Sequence, residues 1–109
     1  MELIGEWTAF HDHMPGKPKT LTASGQAQFR TEGWSVAVRR SEPQGINPKM
    51  LLLELEATHD GGSPEALTTI DVTWTEETDF EYEQVAFTVL GSPEGDAVEG
   101  KTIDVKCVH

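Results

Sequence analysis

Apolar and polar residues alternate with a period of two along most of this 109-residue chain, and no segment carries a helical period. The first run, about Glu2 to Phe10, puts Leu3, Gly5, Trp7 and Ala9 on one face. The second, about Thr20 to Arg30, puts Leu21, Ala23, Ala27 and Phe29 on one face and threonine, serine and glutamine on the other. After the turn Thr31-Glu32-Gly33 a third run sends Trp34, Val36 and Val38 inward, and the pair reads as a β-hairpin.

Four more runs follow. Leu51, Leu53 and Leu55 face inward between about Met50 and Thr58, with Leu52 outward beside Glu54 and Glu56. Ile70, Val72 and Trp74 face inward between about Ala66 and Thr75. From about Asp79 to Leu90 the phase changes, with Phe80 and Tyr82 inward first and Val85, Phe87 and Val89 afterwards, which predicts a β-bulge near Gln84. Ile103, Val105 and Cys107 share a face of the last run, Lys101 to Val108, which predicts a core cysteine. Proline- and glycine-bearing loops separate the runs at 41–48, 59–64 and 91–100.

Seven strands over residues 1–109 predict one all-β domain. The expected architecture is a single antiparallel seven-stranded β-sandwich of immunoglobulin-like size, with a small closed or half-open β-barrel as the alternative.

Charge changes the picture next. Residues 50–100 contain thirteen aspartates and glutamates and neither lysine nor arginine, whereas the rest of the chain holds all eight basic residues against six acids. The net charge of −11 argues against nucleic acid and anionic membrane as partners, since both require a basic surface. Glu54, Glu56, Asp71, Glu81 and Glu83 take outward phases on three successive strands, so neighbouring strands would gather them into one acidic face for a basic protein or a cation. One cysteine excludes an intrachain disulfide, the opening MELIGEWTAF has no leader-like pattern, and no apolar run is long enough to span a membrane; a cytoplasmic setting is expected.

Candidate chemistry gathers at one pole. If consecutive strands alternate direction, the ends of the first, third, fifth and seventh coincide there, bringing together His11, His13, Glu76 or its acidic neighbours, Cys107 and His109, with His59 at the opposite pole. His11-x-His13 and Cys107-x-His109 are i, i+2 pairs, and on a strand each pair points to one side, as shared ligation of a cation requires. A metal set of His11, His13, Glu76 and His109 is therefore a candidate. No catalytic serine-histidine-aspartate spacing, phosphate-binding loop, zinc finger or EF-hand is present.

The sequence thus reads as a small soluble acidic binding module for a basic or cationic partner, with no catalytic residues assigned and no cofactor beyond a divalent cation. The alternatives are a metal-binding protein or small β-barrel enzyme at the His11/His13 pole, and a small-molecule barrel lined by Trp7, Trp34 and Trp74.

Overall fold

The computed structural model describes residues 1–61, 65–95 and 97–108. All seven runs form strands: β1 (Glu2–Asp12), β2 (Thr20–Thr31), β3 (Trp34–Arg40), β4 (Met50–His59), β5 (Glu65–Glu77), β6 (Gln84–Val89) and β7 (Lys101–Val108). They make one sheet in the order β3-β4-β6-β7-β1-β2-β5. The sheet curls until its first and last strands approach, giving a nearly closed barrel. Strands of up to 13 residues set the long axis of 47 Å, and the 29 × 20 Å cross-section is that of a flattened barrel.

The sheet is mixed, not purely antiparallel, because β1 pairs parallel with β7 and β4 pairs parallel with β6. Both parallel pairs join strands of the same parity, so consecutive strands still alternate in direction. β5 leaves β4 to pair with β2, and the chain then crosses back to lay β6 beside β4. β7 is the corner: Lys101–Asp104 pairs with β6, and Val105–Val108 pairs with β1.

Two local expectations are corrected. β2 and β3 are not a hairpin; β2 pairs with β1 and β5, β3 pairs with β4, and Gly33 at φ 85° turns the chain from one side of the barrel to the other. No bulge explains the phase change near Gln84, because β6 begins at that residue and Phe80 and Tyr82 precede it in a strap across the barrel end. The irregularity in β1 lies instead between Ile4 and Thr8, where the Trp7 indole N–H turns back to donate to the Ile4 carbonyl at 3.1 Å.

Inward side chains fill the interior. Leu21, Phe29, Leu51, Leu53, Leu55, Val72, Val85 and Phe87 are buried, each stabilising the fold by roughly 1.5–3 kcal/mol through removal from water. Two of the tryptophans pack against core aromatic rings. Trp7 packs edge-on against Phe87 with centroids 4.8 Å apart, and Trp34 stacks on Phe29 at 4.9 Å.

Leu52 keeps its outward phase, but the 41–48 loop covers it. Gln44 acts as a substitute ladder partner: its Nε2 donates to the carbonyls of Ser41 and Leu52 at 2.8 and 2.9 Å, and its Oε1 accepts from the Leu52 N–H at 2.9 Å. Gln44→Ala strands the Leu52 amide beneath the loop and is expected to cost about 1–3 kcal/mol in chemical denaturation. An unchanged midpoint would mean that water replaces the side chain at no cost.

Candidate metal centre

The register sets a tier of inward residues at the pole where odd-numbered strands end. Across neighbouring strands Glu76 lies opposite Leu21, Leu21 opposite His11, and His11 opposite Cys107. His59 lies at the other pole against Trp34, with ring centroids 4.7 Å apart. β1 runs to Asp12, past the expected end at Phe10, because β7 pairs with it there. His11 is consequently held in a strand with its ring in the core, 1% exposed.

The strap after β5 covers this ring. His11 Nε2 lies 2.7 Å from the Thr78 carbonyl oxygen, and His11 Nδ1 lies 3.0 Å from His13 Nε2. A carbonyl oxygen only accepts, so His11 Nε2 carries the proton. With both rings neutral, His11 Nδ1 is then the acceptor and His13 Nε2 the donor. The lone pair of His13 is left on Nδ1, which faces Glu81 Oε1 at 3.9 Å.

Cys107 completes the group. Ligand atoms of His13, Glu81 and Cys107 all lie within 4.8 Å of one another. A tetrahedral zinc ion with bonds near 2.0–2.3 Å needs donors about 3.4–3.8 Å apart. Closing that difference is within reach of Glu81, whose side chain is 66% exposed, while His13 is held at 6%. Cys107 is exposed, contrary to the expected core position. It shares the inward phase of Ile103 and Val105, but here β7 has a ladder partner only in β1, because β6 begins at Gln84, opposite Asp104.

Other predicted site residues divide. His13 belongs to the cluster, while His11 stands behind it and orients it. Glu76 is engaged elsewhere: both its oxygens lie 3.0 Å from Arg40 Nη1, and Oε1 also accepts from Trp74 Nε1 at 3.3 Å. His109 lies outside the described residues. Arg40 also donates to the Tyr82 hydroxyl at 3.3 Å, and this bond, against the opposing effect of burial and with help from Glu76, raises its pKa further.

The five acids expected on one face are dispersed, because β5 does not lie between β4 and β6. Glu54 and Glu56 flank Arg39, with approaches of 3.5 and 2.9 Å. Asp71 accepts from Gln26 on β2 at 3.2 Å, Glu83 lies 3.8 Å from Lys49, and Glu81 faces His13. Sequence reasoning missed Glu81 as a member of this cluster because alternation placed it on a strand with Glu83, whereas it sits in the strap.

The fold and this cluster define a small mixed β-barrel with a nitrogen, oxygen and sulfur donor set at one rim. Compared with protein-family models, with curated proteins and with solved structures, the chain matches none of them.

Proposed function

We propose that this protein binds a thiophilic divalent cation of the zinc class through His13 Nδ1, the Glu81 carboxylate and the Cys107 thiolate. The observation that carries this reading is the buried relay from the Thr78 carbonyl through His11 to His13. Metal-binding histidines characteristically donate their second ring N–H to a fixed acceptor, which sets the tautomer and strengthens the ligand. Here His11 is that acceptor and is itself fixed from behind. The mixed donor set favours zinc over magnesium or calcium, which take oxygen ligands.

Binding only the folded state stabilises it by RT ln(1 + [L]/Kd), about 2.7 kcal/mol at a hundredfold excess over Kd. Zinc added to the full chain is therefore expected to raise the melting temperature, and Cys107→Ser and His13→Ala to abolish the rise. Cobalt(II) is expected to give a thiolate charge-transfer band that Cys107→Ser removes. The affinity falls as pH is lowered, because the imidazole and thiol must lose protons to bind. A melting curve unmoved by zinc, together with no cobalt band, would overturn the assignment.

A further inference from the structure

The seam where the barrel fails to close carries a second site. β3 and β5 end the strand order, and among the described residues each has a ladder partner on one side only. At the histidine pole the seam is clasped by Arg40 of β3 and Glu76 of β5. Towards the other pole it opens into a cavity of about 460 Å³ lined by Arg30, Thr31, Trp34, Glu65 and Glu94.

Burial follows the same division. Inward Leu51, Leu53 and Leu55 of β4 and Leu21, Ala23, Ala27 and Phe29 of β2 are 0–1% exposed. Inward Trp34, Val36 and Val38 of β3, and Ile70 and Trp74 of β5, pack on this core but stay only half-buried, while Val72 between the last two is fully covered. The seam thus has an apolar floor between two backbone edges. Strand edges with one side unpaired are templates for an added strand.

The occupant's charge follows from the walls. Glu65, Asp71, Glu76 and Glu77 lie on β5, which has no basic residue. The arginines of β3 are already engaged, Arg39 with Glu54 and Glu56 and Arg40 with Glu76. A second copy presenting its own β5 would set acid against acid, which destabilises a strand pair. We propose that the seam takes an extended basic peptide segment from a partner protein. Its alternate apolar side chains would lie on Trp34, Val36 and Ile70, and its lysines or arginines would face the outward acids of β5. This site is independent of the metal centre.

The test uses an eight-residue peptide of alternating lysine and valine with blocked ends, added to the full chain. Two controls are the glutamate-valine counterpart and a lysine-valine peptide with one central proline, which keeps the charge but breaks the ladder. Calorimetry is expected to show binding of the first peptide, at least tenfold weaker binding of the proline peptide and none of the acidic one. Amide exchange is expected to slow along β5 and β3. Glu65→Gln with Asp71→Asn is expected to weaken binding severalfold and to reduce its salt dependence. Equal affinity for the proline peptide would reduce the interaction to charge attraction and overturn the proposal. So would unchanged exchange at β5, or sedimentation showing the seam already occupied by a second copy.

Discussion

Gly25→Ala is expected to be strongly destabilising, although it adds only one methyl group. Gly25 stands on the inward phase of β2 between Ala23 and Ala27, and the Trp7 indole lies directly over it. A Cβ at Gly25 would fall within the ring, on Cδ2, Cε2 and Cε3. Trp7 cannot withdraw, because its N–H is held by the Ile4 carbonyl and its ring packs T-shaped against Phe87. Overpacking of a close-packed core costs about 1–3 kcal/mol and sometimes more, and this site belongs at the upper end. For a domain of this size each kcal/mol lowers the melting temperature by roughly 4–8 °C, so a fall of more than about 10 °C is expected. Trp7→Phe in the same chain should recover part of the loss, and a double-mutant cycle should be strongly non-additive. A Gly25→Ala protein melting within about 2 °C of the parent would show that β2 can shift away from the ring.

Glu94→Gln is expected to destabilise the protein by about 1–3 kcal/mol at neutral pH, the range for leaving a part-buried polar group without its charged partner. The Glu94 carboxylate, 6% exposed, receives the Met1 ammonium at 2.7 Å, the Arg30 amide at 2.9 and 3.1 Å and the Thr31 hydroxyl at 3.4 Å. Glu94 adopts φ 59°, a left-handed conformation uncommon outside glycine, to aim this side chain inward. Burial alone would raise its pKa, but the ammonium, the Arg30 amide and the nearby guanidinium together hold it below the ordinary 4.5. The unfolded chain therefore binds the proton more readily than the folded one. The stabilisation is fully present above about pH 4.5 and disappears as pH falls through the lower folded value. Denaturation across that window should show the parent losing its advantage over Glu94→Gln on acidification. A constant gap between the two would place the effect outside the carboxylate's ionisation.

The inward phases were legible because a pleated strand sends alternate side chains to opposite faces whichever strands it pairs with. Trp7, Leu21, Phe29, Leu53, Leu55, Val72 and Phe87 are buried on that basis. Neighbour choice was not legible. The turn at Gly33 fits a hairpin in sequence, yet β2 bonds to β5, with paired residues 34 to 57 positions apart in the chain. The acidic face failed for the same reason, since facing outward does not make strands adjacent. Cys107 has a core residue's phase but lies on the stretch of β7 that β6 does not flank, and alternation contains no information about height along an axis.

The sequence by itself determined the seven strands, their inward faces and the alternation of their directions, all of which follow from local periodicity and connection length. Only the tertiary structure decided that the sheet is mixed, that Gly25 receives Trp7, and that Glu94 closes over the Met1 amine. It also decided which pole residues meet. His11 turns into the core under the Thr78 carbonyl, Glu76 goes to Arg40, and Glu81 reaches His13 from a strap whose path depends on where β5 and β6 lie. These contacts join residues far apart in the chain, and their partners are fixed by register and crossover, which no local pattern records.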